Sequence, residues 1–142
     1  MKIITDTRNP MLRAKCEELK EFNLNTVSFM NQLAITMKKN SGFGLAAPQV
    51  GMPIRAFSMT TLSGEIIKVV NPIILEKGKL INSKREGCLS LPNKRYNVKR
   101  HKRVKVKFQN EIGEFIKREF KNFDAFVFQH EFDHLNGILI SD

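Results

Sequence analysis

The sequence predicts an α+β fold, with largely antiparallel sheets packed around a C-terminal helix that carries candidate metal ligands. Helical periodicity is confined to the two ends of the chain. Residues 54–120 instead break into short segments rich in branched side chains and separated by Gly, Asn and Pro. The resulting order of helix, helix, several strands and helix is that of an α+β domain rather than of alternating βα units.

Pro10 follows Thr7, Arg8 and Asn9 and precedes MLRAKCEELKEF. This predicts a first helix with a polar cap and Pro in its first turn. A second helix is predicted over residues 25–39. Val27, Met30, Leu33, Ala34 and Met37 recur there at helical spacing, Lys38 and Lys39 suit the negative end of the dipole, and Ser41-Gly42 stops it. The segments IRAFSM, EIIKVV, PIIL, VKVKF and FIKREF read as strands. In residues 103–108, Val104, Val106 and Phe108 alternate with Lys105 and Lys107, the pattern of a half-buried strand with a wet basic side. A last helix is expected from Asn122 to Asn136-Gly137.

The 142 residues amount to one domain, expected to span 1–142. Lys and Arg outnumber Asp and Glu by 24 to 14, for a net charge of +10, which favours anionic neighbours without naming one. No apolar run approaches the roughly 18 residues a transmembrane helix needs. The N-terminus MKIITDTRNP lacks the long apolar core of a secretory signal. The two cysteines, Cys16 and Cys88, point to a reducing compartment. A cytoplasmic protein without membrane association is expected.

Residues 129–134 read QHEFDH, so His130, Glu131 and His134 form a His-Glu-x-x-His arrangement. On a helix the two imidazoles share one face, and the Glu lies aside, within reach of a metal-bound water. Two of the chain's three histidines fall in this pattern. A catalytic site usually takes three protein ligands and a water. Only LNGILISD follows His134, with Asp142 its sole strong ligand type. The third ligand is therefore expected upstream, among the two cysteines, His101 or a carboxylate. Cys88, in EGCLSLP beside Gly87, is the better cysteine. Cys16 reads as a packed small hydrophobe, and His101 sits in a basic stretch. A Cys-His-His set suits zinc or ferrous iron. In GFGLAAPQ, residues 42–49, the glycines allow close backbone approach, and Gln49 offers an amide donor suited to a developing oxyanion.

Together, GFGLAAPQ, EGCLS and QHEFDH resemble the three signature motifs of the peptide deformylases, in the same order and at similar separations. The resemblance implies a metal-dependent hydrolase that removes the N-formyl group from the initiator methionine of nascent polypeptides. Cys88, His130 and His134 would hold one divalent ion, usually ferrous iron, with zinc, nickel or cobalt as substitutes. Glu131 would be the general base and acid. Gln49 and the backbone N–H of Leu89 would hold the oxyanion. The backbone of Phe43, Gly44 and Gly87 would pair with an extended substrate. Phe123, Phe126 and Val127 precede His130 by seven, four and three residues, so they share its helix face and would form an apolar wall for the methionine side chain.

The chain also resembles the short deformylases, including those of viral origin, that end soon after the third motif; a viral source would place it in a host cytoplasm. The basic stretch 94–107, KRYNVKRHKRVKVK, is a solvated face or a contact for ribosomal RNA. Two other functions share these motifs: a metallopeptidase using the same helix, and a deformylase-like binding module without turnover.

Overall fold

The computed structural model describes residues 1–142. Helix α1 (Leu24–Lys39) and helix α2 (Asn122–His134) flank seven strands. These are β1 (Gly44–Ala46), β2 (Ala56–Thr60), β3 (Ile66–Lys77), β4 (Leu80–Cys88), β5 (Leu91–His101), β6 (Arg103–Gln109) and β7 (Phe115–Lys121). Five strands form one antiparallel sheet in the order β1-β2-β3-β6-β7, and β4 and β5 form a separate antiparallel ribbon. The α+β expectation holds.

The alternation in β6 sets the layers. Val104, Val106 and Phe108 face inward and join Phe57, Met59, Val69 and Phe120 beneath Ala125, Val127 and Phe128 of α2. Phe128 meets Phe57 edge-to-face at 5.2 Å and stacks on Phe120 at 5.5 Å, which fixes the roll of α2 about its axis. Helix α1 covers a second cluster, with Met30, Leu33 and Met37 on Leu45, Ala47, Ala56 and Val70. It starts on a reciprocal cap: the Asn23 side chain accepts from the Asn25 and Thr26 N–H groups, and the Thr26 hydroxyl accepts from the Asn23 N–H.

The first predicted helix is not formed. Only a 3₁₀ turn, Pro10–Arg13, survives of it. Beyond the turn, tertiary partners take the backbone groups. The Cys16 N–H donates to the Leu135 carbonyl at 2.9 Å, Glu17 bridges Ile54, and the Asn71 side chain binds both backbone groups of Leu19. Local helix propensity of a few tenths of a kcal/mol per residue cannot compete with such contacts. EIIKVV and PIIL form one strand, β3, with Asn71 left-handed (φ 51°) at a shift in register. The β4–β5 ribbon carries no clear alternation and was not legible as strands. Helix α2 ends at His134 rather than Gly137. The following turn binds the Gly137 N–H to the His134 carbonyl and the Ile138 N–H to the Asp133 carbonyl, with Gly137 at φ 72°.

Candidate metal centre and active-site cleft

Helix α2 presents His130 and His134 one turn apart, with ring centroids separated by 5.1 Å. Cys88 ends β4 at a two-residue turn into β5, where it pairs with Leu91. That turn brings Cys88 Sγ to 3.4 Å from His134 Nε2. One ligand atom from each of Cys88, His130 and His134 lies within 4.8 Å of the others, so the three could hold one ion. The other candidates lie elsewhere. Cys16 is buried in the main core, where burial raises its thiol pKa. His101 Nδ1 sits 2.9 Å from the Gly78 carbonyl oxygen, and Asp142 is paired with Arg13.

The donor chemistry fits a metal: a thiolate and two imidazoles suit zinc or a late divalent transition ion. A second observation agrees with this. Glu131 is 3 % exposed, yet its Oε1 finds no hydrogen-bond partner in the chain, and its Oε2 is 3.9 Å from His130 Nε2. A buried carboxylate oxygen is rarely left unsatisfied unless a functional group meets it. Burial raises the Glu131 carboxyl to about 7, although the charges of His130 and Arg100 pull the other way.

Gly44 makes room for this carboxylate. A Cβ there would lie 2.2 Å from Glu131 Oε2. Gln49 is buried beside the triad. Its Oε1 accepts from the Ala46 N–H at 2.9 Å, while its Nε2 lies 3.1 Å from Ser90 Oγ and 3.7 Å from Cys88 Sγ. Strand β1 is the end strand of the sheet, so one of its edges is free to face the cleft.

The cleft has a volume of about 650 Å³ and is lined by Phe43, Gly44, Gln49, Gly87, Leu89, Phe123, Phe126, Val127 and Glu131, among others. Every residue expected at the site is thus brought to one place. Phe43 and Phe123 meet edge-to-face at 4.8 Å at its apolar side.

Sequence reasoning missed a buried ionic network behind the triad. Glu86 Oε1 is 3.1 Å from His130 Nδ1, and Arg100 donates to both Glu86 oxygens at 2.9 and 3.0 Å. Arg100 also binds Asp133. Burial alone would raise the Glu86 carboxyl, but the hydrogen bonds from His130 and Arg100 prevail and hold it at about 2. Glu86 directly precedes the Gly-Cys pair, but nothing in its spacing to His130 marks it. The basic stretch 94–107 predicts a solvated Arg100, but the residue is only 4 % exposed. Arg95 was missed as well, and a Cβ on Gly87 would lie 2.2 Å from its guanidinium.

The whole chain, residues 1–142, matches the family model for polypeptide deformylase. It is 43% identical over 134 residues to a peptide deformylase of Thermotoga maritima, covering 94% of this chain and 81% of the relative. A Fusobacterium nucleatum peptide deformylase is 43% identical over 126 residues, covering 89% and 72%. Among solved structures, a T. maritima peptide deformylase superposes with a TM-score of 0.94 at 41% identity, covering 99% of this chain and 95% of the other. The Thermus thermophilus enzyme gives 0.93 at 35% identity, covering 99% and 83%. With the fold, the three motifs and the arrangement of the cleft all in agreement, this chain belongs to the peptide deformylase family.

Proposed function

We propose that the chain acts as one catalytic domain that hydrolyses the formyl group from the initiator methionine of new polypeptides, releasing formate and a free amino terminus. The observation that carries this reading is the convergence of Cys88, His130 and His134 beside a buried carboxylate oxygen without a partner. These three residues would hold a single divalent ion, with ferrous iron as the native metal and zinc, nickel or cobalt as alternatives. Such an ion would supply Lewis acidity, which lowers the pKa of a bound water from 15.7 towards about 7.

The chain's own residues do the rest. Glu131 takes the proton of the attacking water and returns it to the departing amine; a carboxyl near about 7 can do both. An amide nitrogen has two hydrogens to donate. Gln49 Nε2 donates to Ser90 Oγ at 3.1 Å and, over a longer 3.7 Å, to Cys88 Sγ; the weaker of the two would turn, with the Leu89 N–H, to the oxygen that gains charge. The substrate backbone lies extended along the free edge of β1 and past Gly87, in the manner of an added strand. Phe123, Phe126 and Val127 receive the methionine side chain.

The cytoplasm is the proposed site of action; no helix is long and apolar enough to cross a membrane. The ribosome is the proposed partner. Within the stretch 94–107, Arg100 is buried in the ionic network and cannot serve such a contact. The outer face of β6 and β7 suits it better. There Lys107 faces Lys117 across the strands, while Glu119 pairs with both Arg103 and Lys121. Like charges directly opposite each other destabilise a sheet, and an RNA backbone would relieve the Lys107–Lys117 pair.

The test is formate release from formyl-Met-Ala-Ser by protein loaded anaerobically with ferrous iron or nickel, beside Glu131→Ala. Turnover is expected from the parent, with a loss of about 100-fold or more in the variant. No formate from protein holding one metal per chain would overturn the proposal.

A further inference from the structure

One wall of the cleft carries four cations that the proposed chemistry does not use. Lys84 and Arg85 of β4 and Lys94 and Arg95 of β5 all line it. Successive residues of a regular strand point to opposite faces, so adjacent pairs should not share a cleft. Irregularities in the backbone account for the departure. The ribbon shifts register between Ser83 and Glu86, and Arg85 is left-handed with φ 56°. Asn93, directly before Lys94 and Arg95, is left-handed with φ 64°. A non-glycine residue in this region is strained, and such strain persists where the surroundings enforce it.

None of the four cations forms an ion pair; the ribbon's buried arginine, Arg100, takes the carboxylate of Glu86. The only other acid lining the cleft is Glu131, whose role is at the reacting group. The wall therefore presents fixed positive charge with no internal counterion. A regular strand rises about 3.3 Å per residue, so Arg85 and Lys84, three and four residues before Cys88, lie at most about 10–13 Å along β4 from it, the irregularities shortening the path. An extended peptide entering with its formyl group at the triad would bring its second to fourth residues alongside this stretch. Arg95, folded over Gly87, lies nearer the triad.

We infer that this cleft selects formylated peptides with acidic side chains at the second to fourth positions, through Lys84, Arg85, Lys94 and Arg95. The inference rests on the deformylase reading and names the preferred substrate class. A solvent-exposed charge pair at contact distance changes binding by about fivefold. Two acidic residues should therefore raise kcat/KM by roughly tenfold or more at low salt, mostly through KM.

The experiment compares formyl-Met-Asp-Glu, formyl-Met-Ala-Ser and formyl-Met-Lys-Lys with metal-loaded protein at low and high salt. The expected order is acidic, neutral, basic, with the differences collapsing near 1 M salt, where the Debye length is about 3 Å. Lys84→Glu combined with Arg85→Glu takes the four side chains from a charge of +4 to zero and should level the order. Equal kcat/KM for the three peptides, or an order the double variant leaves intact, overturns the inference while leaving the deformylase reading in place. Inhibition by a short RNA oligonucleotide that matches or exceeds that by unformylated Met-Asp-Glu would assign the cations to phosphate and overturn it too. No formate from any of the three would overturn the deformylase reading, and the inference with it.

Discussion

Glu86 accepts a hydrogen bond from His130 Nδ1 at 3.1 Å while Arg100 grips both of its oxygens. The carboxylate thereby fixes the tautomer and the ring plane of one of the three converging residues, leaving Nε2 to face Cys88 and His134. Glu86→Gln keeps the shape and loses the charge. Metal affinity should fall about 10- to 100-fold, the usual effect of removing a partner behind a ligating histidine. Arg100→Met would leave Glu86 and Asp133 without their shared cation and should cost about 3–5 kcal/mol, read from denaturant unfolding. An Arg100→Met protein as stable as the parent would show that the network orients rather than stabilises.

Gly44 is expected to tolerate no side chain. The Cβ of Gly44→Ala would meet Glu131 Oε2 at 2.2 Å, and the carboxylate, being the movable partner, should swing away. Formate release should fall by about 100-fold, as for loss of a general base. Metal content should stay at one ion per chain, separating this variant from one that damages the ligands.

Oxidation should single out one cysteine. Cys88 is half-buried in the cleft, whereas Cys16 is buried with its thiol pKa raised. Thiolate character and access govern reactivity. A ferrous-loaded sample exposed to air should lose activity, with peptide mass spectrometry finding the modification on Cys88 and not on Cys16. A nickel-loaded sample should keep its activity; equal loss in both would count against the ferrous assignment.

Acid should release the pairing of Asp142 with Arg13. The hydrogen bond from Arg13 lowers the Asp142 pKa below its ordinary 3.8. A depressed folded-state value means the pair contributes fully above about pH 4 and loses its contribution as pH falls through the lower, folded value. Both side chains are nearly half exposed, so the contribution is a few tenths of a kcal/mol. Asp142→Asn should melt slightly below the parent at pH 7 and alongside it near pH 2. A gap that persists in acid would assign the effect to packing.

The outer face of β6 is expected to govern ribosome association. Lys105→Glu with Lys107→Glu should weaken co-sedimentation with ribosomes and flatten its salt dependence, since each phosphate contact contributes to the slope. Formate release from a tripeptide should not change, because both residues lie on the sheet face opposite α2. Unaltered sedimentation would remove this face from consideration.

Much of this architecture was legible because its signals are local. His130 and His134 sit four residues apart on one helix, and Val104, Val106 and Phe108 alternate along one strand. The failures share a different cause. Residues 14–22 have helical composition, but Asn71, Pro53 and Leu135, all distant in sequence, claim their backbone. The β4–β5 ribbon is exposed to solvent on most of its surface and needs no apolar stripe, so Cys88 was legible as a candidate ligand while its strand was not. Glu86, Arg95 and Arg100 matter through pairings 44, 8 and 33 residues away. A charged residue in sequence looks the same whether it ends in water or in a buried pair.

The free edge of β1 offers unpaired backbone groups, the feature through which sheets template one another into aggregates. Here the edge is three residues long and opens into a cleft walled by the β4–β5 ribbon and α2. A narrow chain end can reach it; the edge of another folded sheet cannot. At the opposite margin, β7 carries Lys117, Arg118, Glu119 and Lys121, and charge at that density discourages stacking of strands between molecules. The fold can thus keep a sheet edge open to the cleft without offering it to a neighbouring molecule.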